Sequence, residues 1–275
     1  TDGGSGGLRP TTLAAYQLLH EGTLALAEIE NAGMRIDVDY LNRTLKKLKK
    51  RIVEEEKSLR EQEVWRVWRK RFGESAKLGS DQQLRWFIYE HLGHEPKWFT
   101  KGDLPSTDEK ALSEVEDQPW IQGYLRWKKH KNLTNTYLGG LAREVVDGFI
   151  HPDFGLNTVE TFRSSCRNPN ATNVPIRDEE NGTRIRRCFI PREGRRLAEL
   201  DFGAFEFKGA ACWWQDPEMI AYASDPNKDI HRDQAERIFG VSSDKVSKKM
   251  RYVSKNGFVF PKLYGSYYLK IAVAI

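Results

Sequence analysis

The chain has 275 residues, with 44 lysines and arginines against 39 aspartates and glutamates, and a formal net charge of +5. A hydrophobic content of 39% and an aromatic content of 11% exclude a disordered chain. The mean hydropathy of −0.65 and the lack of a long uncharged apolar run exclude a membrane span. Cys166, Cys188 and Cys212 form no CxxC pair, so we expect reduced thiols and a cytoplasmic protein.

The N-terminal region predicts a linker followed by a helix. Residues 1–12 have the glycine-rich composition of a flexible linker. Apolar residues recur at helical spacing from Leu13 to Met34, and Gly33 is typical of a helix end. The chain has no initiator methionine and stops directly after a helical pattern, so we expect both ends to be cuts within something longer.

A long charged helix is predicted next, capped by Asp37 or Asp39. Its expected apolar stripe consists of Leu41, Leu45, Leu48, Ile52 and Leu59. Between 43 and 56 the other faces are dense in charge. This run is typical of a solvated surface with i,i+4 ion pairs, and the alternative is a helix that lies against a phosphate backbone.

Shorter helices are predicted up to about residue 146. Ser80 and Gln83 form a capping-box pattern at the start of a helix that Gly93 ends. The side chains expected to point inward are Leu84, Phe87, Ile88 and Leu92. Residues 94–108 predict a loop, and 109–146 are helix-rich with a lysine cluster at 128–131.

Beyond residue 150 short segments bounded by Gly, Pro and Asn predict a mixed α+β chain with its sheet in the middle. Residues 196–200 predict a strand that runs into Asp201. The later helices are expected over 204–214, over 229–239 with Gly240 as the stop, and from 243 towards 264.

Three stretches carry residues suited to chemistry. The first is 201–206, where Asp201 and Glu206 offer oxygen ligands for a divalent cation at a strand end. A strand-end aspartate is also commonly a helix cap, so Asp201 has a purely structural alternative.

In the second stretch, Arg251 and Lys255 lie one turn apart on a helix and suit a clamp for a triphosphate. The aromatic residues of 258–264 follow and suit stacking on a base or ribose. An ordinary basic surface helix followed by core aromatics is the alternative.

The third stretch, 161–177, combines Arg, Ser and Asn with turn-forming Pro. These groups bond phosphate oxygens and minor-groove base edges, and the alternative is a structured loop without a ligand.

In this order the stretches resemble the family A DNA polymerases, the DNA polymerase I family. Residues 201–206 (DFGAFE) are similar to motif A (DYSQIE), and Arg251 to Gly265 is similar to motif B (RxxxKxxxFxxxYG). Residues 161–175 are similar to the TGRLSS–PNLQNIP block, and 228–232 to the family's DIH segment. The resemblance covers roughly residues 13–268 and includes a phage-like Phe-Pro variant of motif B.

The resemblance implies an α+β right-hand polymerase fold with a helical thumb, an antiparallel-sheet palm and helical fingers. The boundaries it implies are a linker at 1–12, a helix that opens the palm at 13–37, a thumb at 38–127, a palm with motif A at 128–223, and partial fingers with motif B at 224–275.

The implied reaction is template-directed DNA synthesis, in which a primer 3′-hydroxyl attacks the α-phosphorus of a dNTP with the help of two Mg²⁺ ions. The resemblance assigns catalysis to Asp201, Arg251 and Lys255, and metal binding to Asp201 and the carbonyl of Phe202. It assigns contacts with the dNTP, including rejection of a ribose by Glu206, to His231, Glu206, Phe260, Tyr264 and Phe202. The expected DNA contacts are Arg163, Asn170, Asn173, Arg177 and Lys131.

Motif B is one residue too long. The family has seven residues between its Lys and Tyr-Gly, whereas residues 256–263 make eight. In a regular helix Phe260 would point about 180° away from the Arg251 and Lys255 face. Pro261 removes the hydrogen bond to the carbonyl of Gly257, so we predict a π-bulge or kink that turns Phe260 and Tyr264 back towards Lys255.

Motif C, a His-Asp-Glu segment with the second catalytic aspartate, does not occur in these 275 residues. We therefore expect the chain alone to be inactive, to need the C-terminal polymerase part as a separate chain or in an uncut parent, and to expose apolar palm surface. The alternatives are a non-catalytic remnant that binds primer-template DNA and a single-subunit RNA polymerase. Retention of Asp201, Glu206, Arg251 and Lys255 argues against the remnant, and Glu206 with the block before Pro175 favours DNA.

Overall fold

The computed structural model describes residues 11–115, 118–159, 163–175 and 179–274. Within these ranges helices dominate and two small antiparallel sheets occur, which confirms the α+β class. The chain forms two compact units, Thr1–Leu197 and Ala198–Ile275. None of the described helices combines the length and the hydrophobicity that crossing a bilayer requires.

The first unit opens with helix α1 (Thr12–Ala32), which ends at Gly33 with a φ of 67°, as predicted. Strand β1 (Met34–Arg35) leads to the long helix α2 (Val38–Glu61). Asp37, not Asp39, is the cap, because its side chain accepts a hydrogen bond from the backbone N–H of Tyr40 at 2.8 Å.

An aromatic core fills the next part of this unit. It lies among α2, α3 (Glu63–Phe72), α4 (Asp81–Arg85) with its π-helical continuation Trp86–His91, α5 (Glu109–Ser113) and α6 (Pro119–Asn132). The indole of Trp68 is fully buried, with its ring centre 5.5 Å from that of Phe87 and 5.6 Å from that of Trp120. Burial of these aromatic rings removes large apolar areas from water and stabilises this part of the unit.

Two details of the α4 prediction were wrong. Ser80 accepts from the backbone N–H of Gln83 at 3.3 Å, but the Gln83 side chain does not complete a capping box. Its carbonyl oxygen accepts instead from the buried indole N–H of Trp68 at 2.8 Å, a donor that needs a partner. Leu92 is 38% exposed because the π turn inserts a residue and rotates it off the apolar stripe.

A second core joins the N-terminal part of α2 to the residues after α6. These are a π-helical turn (Leu133–Leu138), α7 (Gly139–Glu144), β2 (Phe149–Ile150) and α8 (Glu179–Arg186). β2 pairs antiparallel with β1, with Met34 opposite Ile150. β3 (Asp153–Gly155) pairs antiparallel with β4 (Ser165–Arg167).

The second unit is helical. Its elements are α9 (Phe205–Trp214), α10 (Pro217–Ser224), α11 (Ile230–Phe239), a 3₁₀ turn (Ser243–Lys245), α12 (Lys248–Val253), a π-helical turn (Ser254–Val259), α13 (Phe260–Leu263) and α14 (Tyr268–Ala274). α11 ends at Gly240 as predicted, with a φ of 60°. The last predicted helix begins later than expected, because Ser247 caps it through a bond from the N–H of Met250 at 3.2 Å.

The strand predicted over 196–200 is wrong, because this segment has no regular structure. Leu197 is 66% exposed and Leu200 is 95% exposed. A strand persists only when its backbone is paired, and no strand among the described residues pairs with this segment. Large apolar side chains are also exposed at Phe202 and Trp213.

Candidate active site and nucleic-acid surface

Asp201 and Phe202 lie in irregular, exposed chain just before α9. The residue that caps α9 is Ala204, in the left-handed conformation with a φ of 51°, and no side chain bonds to the helix start. The alternative interpretation of Asp201 as a helix cap is therefore wrong. Its carboxylate and the carbonyl of Phe202 are oxygen donors of the kind that Mg²⁺ accepts.

Helix α11 carries the side chain at the centre of the candidate nucleotide site. His231 lies in its first turn and is buried, with 5% of its surface exposed. The ring lies edge-on to Phe260, with centroids 5.6 Å apart. No described residue bonds to its Nδ1 atom. An unpartnered buried nitrogen is costly, so this atom is a candidate contact for a ligand.

Burial and nearby charges shift the pKa of His231. Burial lowers it below 6.5, and the cations of Arg251 and Lys255 lower it further. The carboxylates of Asp229 and Glu206 oppose this shift. All four charged side chains therefore act on one imidazole, which is held neutral near pH 7.

Motif B contains the predicted π distortion. The backbone is π-helical over Ser254–Val259 and returns to an α-helix at Phe260. The ammonium of Lys255 lies 5.0 Å from the centre of the Phe260 ring, and the Tyr264 ring is edge-on to Phe260 at 6.4 Å. The extra residue is thus absorbed without turning Phe260 away from Lys255, which confirms the predicted geometry. Tyr264 itself is 63% exposed.

Arg251 has a partner that the sequence did not reveal. Its Nε donates to Oδ2 of Asp229 at 2.8 Å, across 22 residues of chain. Asp229 is also the cap of α11, and its Oδ1 accepts from the backbone N–H groups of His231 at 3.0 Å and Arg232 at 3.3 Å. The position directly before a helix start signals the cap, but no local pattern signals the pairing with Arg251.

Glu206 lies in the first turn of α9 and is half-buried. Its carboxylate raises the pKa of His231, against the effect of Arg251 and Lys255. α9 also packs against α13, the helix that begins with Phe260. The predicted residues of the dNTP site in this unit are therefore neighbours, with Asp201 and Phe202 just before α9.

The first unit holds a groove of about 1490 Å³. Its lining includes basic and amide side chains from α2, α6 and the segment before α8, namely Arg51, Arg126, Lys129, His130, Asn132 and Asn173. Phosphate oxygens and base edges are what such side chains bind. Of the predicted DNA contacts, Asn173 lies in this groove.

Glu55 contacts three residues that line the groove, and sequence reasoning missed it. Its carboxylate accepts from Nδ1 of the buried His130 at 2.9 Å. Arg51 approaches it at 3.4 Å and Arg126 at 3.9 Å. The i,i+4 spacing signals the Arg51 pair, as the solvated-surface interpretation of this helix expected, but nothing local signals His130.

The other predicted DNA contacts are scattered. Asn170 is exposed, and its side-chain oxygen accepts from the backbone N–H groups of Thr172 and Asn173, each at 3.2 Å, so it shapes the turn. Arg163 is exposed ahead of β4. Lys131 places its ammonium 4.5 Å from the Trp127 ring and lines a cavity of about 390 Å³ that shares Lys129 and Asn132 with the groove. Arg177, like Thr161 and Phe162 of the same block, lies outside the described residues.

Comparison with known proteins shows the class to which this fold and site belong. Residues 39–275 match the pattern of DNA polymerase family A, and the chain belongs to that family.

The relatives agree with this assignment. The chain is 30% identical over 247 residues to DNA polymerase I of Chloroflexus aurantiacus, covering 87% of this chain and 25% of that protein. It is 32% identical over 244 residues to the thermostable DNA polymerase I of Thermus thermophilus, covering 87% and 28%. The chain thus spans about a quarter of the length of these curated relatives.

A solved structure supports the fold. The POL domain of Pol1 from M. smegmatis, in complex with DNA primer-template and dNTP, matches with a TM-score of 0.70 and 28% identity. The match covers 90% of this chain and 44% of that chain.

Proposed function

We propose that this chain carries the nucleotide-binding part of a template-directed DNA polymerase. The observation that carries the proposal is the convergence of Arg251 and Lys255 on one buried histidine and one aromatic ring. Two cations, an unpartnered imidazole nitrogen and an aromatic face form a site for a triphosphate attached to a stacked base.

In the proposed reaction the primer 3′-hydroxyl gives its proton to water, and its oxygen forms a bond to the α-phosphorus of the dNTP. The bond from that phosphorus to the bridging oxygen breaks, and pyrophosphate leaves. Arg251, Lys255 and His231 hold the triphosphate and offset its negative charge during transfer. Phe260 stacks on the nucleotide, and Tyr264 helps to control the templating position.

Sugar selection is proposed for Glu206. Its half-buried carboxylate lies near the cluster that would hold the nucleotide. A carboxylate wall at this place fills the space that a ribose 2′-hydroxyl needs. This assignment distinguishes a DNA polymerase from an RNA polymerase that binds its nucleotide through the same arginine and lysine.

The donors around Asp201 fit Mg²⁺ in part. The carboxylate and the carbonyl of Phe202 are hard oxygen ligands, and triphosphate oxygens suit the remaining positions. Among the described residues, however, no group of three metal-ligating side chains is assembled. When bound, Mg²⁺ would supply positive charge that offsets the negative charge of the phosphoryl oxygens. A site for two ions needs a second carboxylate in addition to Asp201.

For primer-template DNA we propose the groove of the first unit and the turn beside it. Asn173 lines the groove, and Asn170 shapes the turn that carries it. Arg163, Arg177 and Lys131 remain proposed contacts.

We also propose that the 275-residue chain is inactive by itself. Its exposed apolar side chains from 197 to 214 suit packing against the second half of a palm, in the same polypeptide or in a separate chain. We place the protein in the cytoplasm, where the unpaired Cys166, Cys188 and Cys212 stay reduced.

The test is dATP binding to the chain, followed by primer extension once the complementary palm is supplied. Lys255→Ala and Phe260→Ala should each raise the Kd for dATP by about 10-fold. The control is Lys245→Ala in the exposed 3₁₀ turn, which should leave the Kd unchanged. Glu206→Ala should raise incorporation of ribonucleotides.

Robust primer extension by the isolated chain would refute the proposed inactivity. Primer-template binding without turnover, even with the complementary palm present, would favour the second candidate, a non-catalytic DNA-binding remnant. Equal dATP affinity in the Lys255→Ala, Phe260→Ala and control variants would overturn the proposed nucleotide site.

A further inference from the structure

Asp229 connects two parts of the candidate nucleotide site through its two carboxylate oxygens. Oδ1 accepts the backbone N–H groups at the start of α11, which carries His231. Oδ2 accepts from Nε of Arg251, on α12, at 2.8 Å. One side chain therefore fixes a histidine-bearing helix start and a guanidinium in a single arrangement.

The geometry of the ion pair leaves Arg251 able to bind a ligand. A guanidinium has five N–H donors in a fixed plane, and the bond to Asp229 uses the one on Nε. Binding at Nε restricts rotation of the plane and leaves the terminal amino groups as donors. A planar donor set held in one orientation is what bidentate recognition of phosphate requires.

The charge of Asp229 has two opposed consequences. It orients Arg251, but it also repels a triphosphate and partly neutralises the cation that attracts it. Burial raises the pKa of Asp229, yet the hydrogen bonds from Arg251, Arg232 and His231 outweigh this and hold the pKa below its ordinary value. The carboxylate is therefore ionised near neutral pH, and both consequences operate together.

We propose that Asp229 is a positioning residue that fixes the Arg251 side chain relative to His231, so that both can bind the phosphates of the incoming nucleotide. This inference rests on the proposed function of the site. It assigns a role to a residue that contacts the Arg251 side chain and the α11 backbone, and that acts on the nucleotide only through them. The orienting effect is expected to outweigh the repulsion, so loss of the carboxylate weakens triphosphate binding.

The experiment measures the Kd for dATP and for tripolyphosphate by calorimetry on the full 275-residue chain. Asp229→Asn keeps a side-chain oxygen that can cap α11 and removes the charge that pairs with Arg251. It should raise the Kd for both probes by about 10-fold. The matched control is Asp216→Asn at the start of α10, where the aspartate caps through the N–H of Met219 at 2.9 Å. This control should leave both Kd values unchanged.

A double-mutant cycle with Arg251→Ala separates positioning from helix capping. If Asp229 acts through Arg251, Asp229→Asn does not raise the Kd when Arg251 is already alanine, and loss of the repulsion lowers it. An equal loss in both backgrounds, or an unchanged or lower Kd for Asp229→Asn in the chain that retains Arg251, would each overturn the inference.

Lys255→Ala distinguishes this failure from failure of the proposed function. If Lys255→Ala weakens dATP binding and Asp229→Asn does not, only the positioning role is wrong. If the wild-type chain binds neither dATP nor tripolyphosphate, the proposed nucleotide site is wrong, and the positioning role is overturned with it.

Discussion

Replacing Gly182 by alanine should move the turn that carries the proposed DNA contacts. Gly182 lies within α8, and a Cβ built on it would be 2.3 Å from the carbonyl oxygen of Pro175. It would also lie 3.1 Å from a terminal nitrogen of Arg186. The arginine is a flexible side chain and can move aside, but Pro175 presents backbone, and its turn contains Asn173.

The magnitude follows from this distance. Ordinary contact begins at 3.4 Å, so the turn has to retreat by about 1 Å. Overpacking of this kind typically costs about 1–3 kcal/mol. Alanine also gains about 1 kcal/mol over glycine within a helix. We therefore expect Gly182→Ala to lower the free energy of unfolding by up to about 2 kcal/mol and to weaken primer-template binding.

Urea denaturation followed by circular dichroism measures the stability change. Gly140→Ala is the control, because Gly140 also lies in a helix of the first unit and its nearest neighbour to a Cβ is a side-chain nitrogen of Arg143 at 3.9 Å. It should be neutral or stabilising by up to about 1 kcal/mol. Equal stability of the two variants, with unchanged DNA affinity, would refute the argument from close packing.

Three other predictions follow from the same structure. Deleting Phe258 should convert the π turn into a regular helix with Phe260 still on the Lys255 side, so the affinity for dATP should persist. A large loss of dATP affinity would contradict this geometry. Because the folded-state pKa of His231 lies below 6.5, the unfolded chain binds the proton more readily, and the free energy of unfolding should fall as pH drops below 6.5. Urea titrations at several pH values should show that the free energy of unfolding of His231→Gln lacks this contribution. An identical dependence of the free energy of unfolding on pH in both proteins would contradict it. Trp68→Ala should lower the free energy of unfolding by about 3–5 kcal/mol. Trp213→Ala, at a 78% exposed site, should change it by less than about 0.5 kcal/mol, and similar losses in the two variants would contradict the aromatic core.

Some features could be predicted because they depend on residues a few positions apart. The stops at Gly33 and Gly240 and the cap at residue 37 follow from local backbone geometry and short hydrogen bonds. The π distortion before Pro261 was predictable for the same reason, because one extra residue shifts a helix face by a known angle. The candidate site residues of motifs A and B were named from their types, their spacing and the family resemblance, and their roles stay predictions.

Other features depended on which elements come into contact, and spacing along the chain does not encode this. Residues 196–200 have strand-forming character, but a strand needs a paired neighbour, and no described strand supplies one. The side-chain oxygen of Gln83 accepts a hydrogen bond from the indole of Trp68, and the side chain does not cap its own helix.

The same division applies to the candidate site. By itself the sequence determined where the cations, the aromatic residue and the carboxylates of the candidate site lie along the chain. Only the tertiary structure decided that His231 is buried against Phe260 and that Asp229 bonds to Arg251. The physical reason is that these contacts join separate helices, so they form only when the packing of α11 against the motif B helix brings the side chains within bonding distance.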